Sequence, residues 1–356
     1  MTPIKGRGAV SSDSSTRFVL AARAMDGDWL DCAETVDGVR RHPATTVTEE
    51  HPRSILSFNA SPDIPFDRSI NAYRGCEHGC IYCFARPTHA WHDLSPGLDF
   101  ETRLFAKPDA PRLLRQSLAR SGYRPAPIAM GTNTDPYQPI EGRYRITRQI
   151  LEICLETRHP VTITTKSDRV LRDLDLLERL AARRLVAVGI SVTSLDASLS
   201  RLLEPRAAAP AKRIAALGRL AAAGVPAWVS IAPVIPAITD EYLEGILGEA
   251  AAQGIRSAMW IMIRLPHEVA PLFREWLEAH FPDRAAKVMA TIRAMRGGRD
   301  NDPDFHTRMK PQGVWADLFR RRFRVAARRL GMTEPDTPLD CGAFRRPSLD
   351  GQLSLL

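Results

Sequence analysis

The chain has 356 residues, of which 44% are apolar and 25% charged, and it carries a net charge of +8. These fractions are typical of soluble globular proteins, and the length suffices for one large α/β domain with attachments or for two domains. No apolar run reaches the ~20 residues that a membrane-spanning helix needs, and the polar N-terminus shows no secretory signal. The sequence therefore predicts a cytoplasmic protein with no membrane partner, and its basic charge favours a polyanionic partner such as nucleic acid.

Residues 1–55 are predicted to form an N-terminal extension that is partly flexible. Glycine, serine and aspartate dominate its first fifteen residues, and this composition is typical of a disordered tail. The apolar residues between Phe18 and Trp29 are predicted to pack on the main body of the protein.

Three cysteines, Cys76, Cys80 and Cys83, lie within one short stretch with the spacing C-x3-C-x2-C. Thiolates are soft ligands that select iron–sulfur clusters, zinc or Cu(I). Four thiolates normally complete such a site, so a site built on these three keeps one metal position open for a small molecule. Two alternatives are a set of buried core thiols and a zinc site completed by His78 or His89. A disulfide framework is disfavoured, because a long chain with six cysteines is not a small stapled scaffold.

From about residue 65, short β-like runs alternate with amphipathic helical stretches. Strands are predicted at 69–74, 127–131, 161–165, 186–192, 228–232 and 258–263, and helices at 109–121, 146–157, 169–183, 211–223 and 241–253. Pro233 and Pro236 are predicted to end the fifth strand. Six such units predict an α/β fold with a parallel sheet and right-handed crossovers. Six units instead of eight predict a partial (β/α)6 barrel of the TIM type over residues 56–266.

In folds of this kind the chemistry lies at the carboxyl ends of the strands, so the residues that follow each strand are candidate site residues. Among them, in strand order, are the three cysteines, then Thr132, Thr134 and Asp135, Lys166, Ser191 and Ser194 with Glu204 further on, Val234 and Ile235, and Arg264.

Residues 267–356 are predicted to form a basic, mainly helical region that ends in an irregular tail. From 264 to 356 the net charge is +5. The stretch 315–330 is predicted to be a helix with an apolar stripe and an arginine stripe. Cys154 falls on the apolar side of a predicted helix and is expected in the core, whereas Cys341 lies in the tail.

The cysteine motif has Tyr82 before its last cysteine and lies on the loop after the first strand of a predicted six-unit βα chain. In these features the sequence resembles the radical SAM superfamily. Within that superfamily, residues 66–266 most resemble the spore photoproduct lyase-like branch and uncharacterised bacterial proteins grouped with it. The matching pieces are Gly75-Cys76…Cys80-x-Tyr82-Cys83, Thr132-x-Thr134-Asp135, Thr164-Thr165-Lys166, Ser191-x-x-Ser194, Glu204-Pro205 and Ala232-Pro233-Val234-Ile235. The resemblance implies a partial barrel, a [4Fe–4S] cluster, S-adenosylmethionine (SAM) and an electron donor such as flavodoxin or ferredoxin.

The resemblance also implies a role for each matching residue. Cys76, Cys80 and Cys83 would ligate the cluster, whose fourth iron would bind the amino and carboxylate groups of SAM. Tyr82 would lie against the adenine, and Thr134 would approach the SAM amino group.

Four further positions complete the implied cofactor site. Lys166 would pair with the SAM carboxylate, a charge-assisted contact. Ser191 or Ser194 would hydrogen-bond the ribose or the carboxylate, and the backbone around Val234 and Ile235 would flank the adenine. Arg264 would contribute to the floor of the site or contact the substrate.

One position departs from the branch. In the lyase a cysteine after the second strand donates a hydrogen atom to the product radical, and the matching position here is Thr132, whose hydroxyl is a poorer donor. This difference argues against repair of thymine dimers. Thr132, Lys166 and Arg264 are the residues predicted to take part in catalysis.

The main hypothesis is a radical SAM enzyme, lyase-like or oxidoreductase-like, that acts on nucleic acid, a peptide or a small molecule. A base inside a duplex would have to be extruded to reach the site. The alternative is a zinc- or cluster-stabilised nucleic-acid-binding protein without catalysis.

Overall fold

The computed structural model describes residues 6–13, 15, 17 and 44–348 of the chain. The strands are β1 (Thr46–Glu49), β2 (Leu56–Phe58), β3 (Arg68–Ile70), β4 (Tyr73–Arg74), β5 (Arg103–Ala106), β6 (Ile128–Met130), β7 (Val161–Thr165), β8 (Val186–Ser191), β9 (Ala227–Val234) and β10 (Ala258–Met262). The α-helices are α1 (Asp99–Thr102), α2 (Ala110–Ala119), α3 (Glu141–Tyr144), α4 (Ile146–Glu156), α5 (Leu174–Ala181), α6 (Ala197–Leu203), α7 (Pro210–Ala222), α8 (Leu243–Ala252), α9 (Val269–His280), α10 (Pro282–Ala294) and α11 (Val314–Arg329). Short 3-10 helices span Arg86–His92, Asp168–Asp173 and Asp240–Tyr242.

The main sheet has seven strands in the spatial order β10-β9-β8-β7-β6-β3-β2. Its six strands from β3 to β10 are all parallel and lie side by side in the order in which they occur in the chain. Only β2 is antiparallel, at the β3 edge. The predicted parallel α/β sheet of six units is therefore confirmed, and the carboxyl ends of its parallel strands face the same way.

The core lies between this sheet and the helices that connect its strands. Strand β7 is a run of β-branched residues whose side chains alternate between buried and half-buried, as expected for a strand with both faces covered. Helix α4 buries Ile146, Ile150 and Leu151 at helical spacing against the sheet. The apolar periodicity that predicted these elements is the same pattern that packs them.

Three elements differ from the prediction. The expected first strand divides at Asn71: β3 belongs to the main sheet, whereas β4 pairs with β5 in a second sheet of order β1-β5-β4. The helix expected at 169–183 begins as a 3-10 turn capped by the Ser167 hydroxyl and becomes α-helical at Leu174. Strand β9 continues past Pro233 to Val234, because the register with β10 shifts at that point and the proline falls in the irregularity.

The N-terminal extension contributes to the fold. Strand β1 pairs in parallel with β5, and Ala9, Val10 and Ser11 are buried. The disordered tail predicted for the first fifteen residues is therefore wrong for residues 6–13. The predicted packing of Phe18 to Trp29 lies outside the described residues.

Helices α9, α10 and α11 follow the sheet, and α11 matches the helix expected at 315–330. The stretches on either side of α11 have no helix as far as residue 348. The boundaries at residues 55 and 266 stay predictions. In the part of the chain that the structure describes, every helix is too short or too polar to cross a membrane.

Candidate active site

The three cysteines lie on a tightly turned loop at the carboxyl end of β3. The Cys76 amide donates to the Phe100 carbonyl over 2.9 Å, and the Cys83 amide donates to the Cys80 carbonyl over 3.2 Å. Gly75 and Gly79 have φ of +70° and +66°, a left-handed conformation that side chains with a Cβ rarely adopt. The two glycines therefore allow the backbone of the cysteine loop to turn sharply just before Cys76 and again just before Cys80.

Arg86 holds this loop from inside the protein. Its side chain has no solvent exposure, and its guanidinium donates to the carbonyl oxygens of Cys80 (2.9 Å) and Gly79 (3.2 Å). The same group donates to Glu101, also fully buried, over 2.5 Å. A buried ion pair of this kind is retained only where hydrogen bonds satisfy its remaining donors and acceptors, and here they run to the backbone of the cysteine loop.

The N-terminal segment 6–13 lies directly on the cysteine loop. The amides of Gly8 and Ala9 donate to the two Glu101 carboxylate oxygens over 2.9 and 2.8 Å. A Cβ at Gly8 would lie 1.8 Å from the Gly79 carbonyl oxygen, so only glycine permits this approach. Glu101 thus joins the segment and, through Arg86, the cysteine loop into one buried unit.

Cys76 and Cys80 are buried, and Cys83 is half-buried. Burial raises the pKa of all three cysteines, and the charge of Cys83 adds to the rise for Cys76 and Cys80. Among the described residues, no three His, Cys, Asp or Glu side chains stand close enough together to hold a single metal ion. A cubane cluster makes a different demand from a single zinc ion, since each of its thiolate ligands binds a different iron.

A carboxylate after β6 ties the cysteine loop to the next strand ends. Asp135 accepts from the Thr165 hydroxyl and from the Lys166 amide, each over 2.7 Å, and lies 3.3 Å from His78 Nδ1. Burial alone would raise the pKa of Asp135, but His78 and the hydrogen bonds lower it to about 2. Asp135 therefore fixes the backbone from which the Lys166 side chain extends.

A buried polar network stands beside the cysteines. The Tyr82 hydroxyl donates to Glu204, Glu204 pairs with Arg213, and the Thr193 hydroxyl donates to Glu204 over 2.8 Å. Burial acts to raise the pKa of Glu204, but Arg213 and Lys166 lower it overall. The pKa of Tyr82 is raised well above its usual value by burial and by the Glu204 charge, so Tyr82 is a neutral donor.

Lys166 completes this group. Its ammonium lies 5.8 Å from the centroid of the Tyr82 ring and 3.5 Å from the Ala232 carbonyl oxygen. It also favours the thiolate forms of Cys80 and Cys83 by its positive charge. Lys166 therefore lies beside Tyr82, Cys80 and Cys83, and the role predicted for it at the cofactor stays a prediction.

The hydroxyl residues after β6 and β8 differ in their burial and in their hydrogen-bond partners. Thr134 is buried and donates to the Tyr73 carbonyl over 3.2 Å, whereas Thr132 is half-buried and donates to the Asn71 side chain over 3.3 Å. Ser191 is buried at the end of β8. Ser194 accepts from the Asp196 amide over 2.9 Å, so its hydroxyl serves the turn before α6. Of the two serines, Ser194 is the one whose side chain is already engaged in local structure.

The residues expected beside the adenine are Val234 and Ile235. Both side chains have no solvent exposure, and they pack in two different apolar clusters. The Val234 carbonyl accepts from Ile263, and the Ile235 amide donates to the Thr239 hydroxyl over 2.8 Å. Their backbone is thus held in a fixed turn at the carboxyl end of β9.

Arg264 lies two residues beyond β10. Its guanidinium is 5.9 Å from the Phe84 ring centroid and 3.4 Å from the Met309 sulfur. Burial and the neighbouring Arg308 and Arg296 lower the pKa of Arg264 to about 10, so it remains charged at neutral pH. The contact with Phe84 places Arg264 beside the residue that follows Cys83.

The two remaining described cysteines are remote from this site. Cys154 is fully buried in α4, which confirms its predicted place in the core. Cys341 is close to Asp340, Arg68 and Asp67. Arg68 begins β3, so Cys341 lies at the end of the sheet opposite the cysteine loop.

Several site residues were not singled out from the sequence. Asp135 and Glu204 were predicted to lie at strand ends on the functional face but were given no role, whereas Arg86, Glu101 and Arg213 carried no signal. An arginine on a helix is most often a surface residue, and only its partner in three dimensions shows otherwise.

A match to a family model assigns this chain to a protein family. The model of the radical SAM superfamily matches residues 70–250. The chain belongs to the radical SAM superfamily. Members of this superfamily are enzymes that use a [4Fe–4S] cluster and SAM. The alternative of a binding protein without catalysis is therefore not retained.

Relatives of this radical SAM enzyme occur in bacteria and archaea. An uncharacterised protein of Mycobacterium tuberculosis is 37% identical over 232 residues, which are 65% of this chain and 68% of that protein. An uncharacterised protein of Methanocaldococcus jannaschii is 29% identical over 214 residues, 60% of this chain and 76% of that protein.

A solved structure resembles the radical SAM chain in fold. A spore photoproduct lyase variant, solved with bound AdoMet and dinucleoside spore photoproduct, has a TM-score of 0.50 and 16% identity. The likeness covers 80% of this chain and 78% of that chain. Because the sequence identity is only 16%, this structural similarity concerns the fold alone.

Proposed function

We propose that this radical SAM enzyme holds its cluster on Cys76, Cys80 and Cys83, at the carboxyl end of a partial (β/α)6 barrel. Two contacts between opposite edges of the main sheet support the proposal that the sheet curves into a partial barrel. Arg264, after the last parallel strand, reaches Phe84 on the loop after the first one. Arg308, from the segment before α11, pairs with Asp63, which precedes β3, over 2.5 Å. A flat sheet of this width would hold these two edges far apart, since neighbouring strands lie ~4.8 Å from each other.

The donor set fits the cluster. Three thiols lie on one loop, and Lys166 supplies positive charge beside them. Held by Cys76, Cys80 and Cys83, a reduced cluster would supply one electron for the cleavage of SAM into methionine and a 5′-deoxyadenosyl radical, which would abstract a hydrogen atom from the substrate. The protein's part is to position the cofactor and to keep water from the site.

The observation that carries the assignment of the SAM site is the position of Lys166, over the Tyr82 ring and next to the thiols. Its ammonium can donate to the SAM carboxylate, a charge-assisted hydrogen bond. The Thr134 hydroxyl donates to Tyr73 and keeps lone pairs that can accept from the SAM amino group. The rigid turn at Val234 and Ile235 and the buried Ser191 provide the wall for the adenosine.

For the substrate we propose a nucleic-acid base that enters the site unstacked. The basic C-terminal region supports an anionic partner. Thr132 occupies the place of the lyase's hydrogen-donating cysteine, and Cys341 lies at the far end of the sheet. The reaction we propose is accordingly base modification, or repair that returns the hydrogen atom by another route. Flavodoxin or ferredoxin is the proposed electron donor.

The test of the proposed function uses protein reconstituted anaerobically with iron and sulfide. We expect brown protein with about four irons per chain. With dithionite and SAM it should release 5′-deoxyadenosine. Colourless protein that retains one zinc per chain after reconstitution would contradict the proposal.

Lys166→Ala is expected to raise the Kd for SAM by about ten- to a hundredfold, because a charge-assisted hydrogen bond contributes ~1.5–3 kcal/mol. Cluster absorbance should stay as in the unaltered protein, since Lys166 is not a ligand. Equilibrium dialysis with labelled SAM measures the Kd. The matched control is Lys212→Ala, an exposed lysine on α7. An unchanged Kd for Lys166→Ala would show that another group holds the carboxylate.

A further inference from the structure

A surface of two arginines and two phenylalanines lies beside the cysteine loop. It consists of Arg264, Arg308, Phe84 and Phe305, and we call it the arginine–aromatic surface. Phe84 and Phe305 are 49% and 47% exposed, although both are large apolar residues. The Arg308 guanidinium lies 4.2 Å from the Phe305 centroid, and that of Arg264 lies 5.9 Å from the Phe84 centroid.

Positive charge on this surface exceeds the acidic charge around it. Arg308 is paired with Asp63. Arg264 has no ion pair among the described residues, although Asp63 and Asp302 are near enough to act against the lowering of its pKa, and its buried Nε has no hydrogen-bond partner there. The adjacent Arg296 is buried and donates to the carbonyls of Ile263 and Arg308. A partly buried guanidinium that no carboxylate contacts directly gains from a ligand that supplies negative charge.

The aromatic rings identify the class of ligand. Exposed phenylalanine faces bind unstacked bases, and arginine beside them binds phosphate, which together make the usual surface for single-stranded nucleic acid. A peptide carboxylate would use the arginines but would leave both rings in water. Because Phe84 follows Cys83 directly, a base stacked on Phe84 lies next to the loop proposed to hold the cluster.

We propose that the arginine–aromatic surface is the substrate-binding site for a single-stranded or extruded nucleotide. Arg264 binds a phosphate, and Phe84 and Phe305 stack the adjacent bases. This inference rests on the proposed function, which it extends by assigning the residues that recognise the substrate.

The experiment uses the reconstituted holoenzyme with SAM and a fluorescein-labelled, short, single-stranded oligothymidylate as the probe. Fluorescence anisotropy over a series of salt concentrations gives the Kd and its salt dependence. Arg264→Gln should weaken binding about tenfold and reduce the slope of log K against log salt by about one, as expected for one lost phosphate contact. Phe84→Leu should weaken binding about tenfold with no change in slope, because stacking releases no counterions.

Arg179→Gln is the matched control, since Arg179 is exposed on α5 outside this surface and outside the basic C-terminal region. Iron content of each variant reports on folding. Equal weakening by Arg264→Gln and Arg179→Gln would overturn the proposal. So would equally tight binding of a labelled polyglutamate peptide of the same length, which would identify a peptide site. Release of 5′-deoxyadenosine with no binding of the oligonucleotide would reject this inference alone, whereas failure to cleave SAM would reject the proposed function.

Discussion

Cys80→Ala is expected to yield a folded protein that holds almost no iron after anaerobic reconstitution. With one of three thiolates gone, the remaining two cannot close a cluster that already leaves one iron without a protein ligand. Alteration of an outer contact alone typically costs 10–100-fold in metal affinity, so loss of a ligand should lower 5′-deoxyadenosine release by at least about a hundredfold. Iron analysis, absorbance in the visible range and product chromatography measure the three quantities.

The matched control is Cys154→Ala, which removes a thiol of equal size from the core, where Cys154 is fully buried on α4. It should cost about 1 kcal/mol in the free energy of unfolding and leave the iron content unchanged. Full iron content in Cys80→Ala would show that the cluster is held elsewhere. An equal loss of iron in both variants would show that the effect is one of stability.

The alternation of strands and helices was predictable because each element has its own spacing of apolar residues along the local sequence. Strand β7 matches its prediction residue for residue, and α4 differs by one residue at its end. Both have a clear apolar pattern and short connections, so the local preference and the packed structure agree. The parallel direction of the strands followed from the six successive units, because each connecting helix returns the chain to the start of the next strand.

The exceptions depend on contacts between strands, which the local sequence of each strand does not show. Proline normally ends a strand, but β9 passes Pro233 where the register with β10 shifts, and that shift depends on β10. The division between β3 and β4 depends on β5, a strand that was not predicted. In both places the partner strand decides the outcome.

The candidate site likewise has one part that the local sequence predicts and another part that depends on contacts between distant residues. The spacing of Cys76, Cys80 and Cys83 is a property of one loop, so the sequence was sufficient to predict a metal site there. The Tyr82 and Glu204 pair joins residues 122 positions apart, and Arg213 completes it from a third element. No periodicity encodes contacts of this range. The polar network beside the cysteine loop therefore became visible only in three dimensions.

The buried pair of Arg86 and Glu101 should have the largest effect on stability. In Arg86→Ala the Glu101 carboxylate would stay buried without its cation, and the carbonyls of Gly79 and Cys80 would lose a donor. Removal of one partner of a buried pair typically costs ~3–5 kcal/mol in the free energy of unfolding. Urea denaturation followed by circular dichroism measures this loss. Because the same guanidinium holds the cysteine loop, iron content should fall as well.

An exposed pair provides the control for Arg86→Ala. Arg115 and Glu156 also form an arginine–carboxylate pair, but their side chains are 35% and 52% exposed. Arg115→Ala should cost at most about 1 kcal/mol, because water screens the pair and solvates the remaining carboxylate. The double variant Arg86→Ala/Glu101→Gln should be less destabilised than the sum of its single changes, since no uncompensated charge is left inside. If Arg86→Ala were as mild as Arg115→Ala, the guanidinium would not be what holds the N-terminal segment and the cysteine loop together.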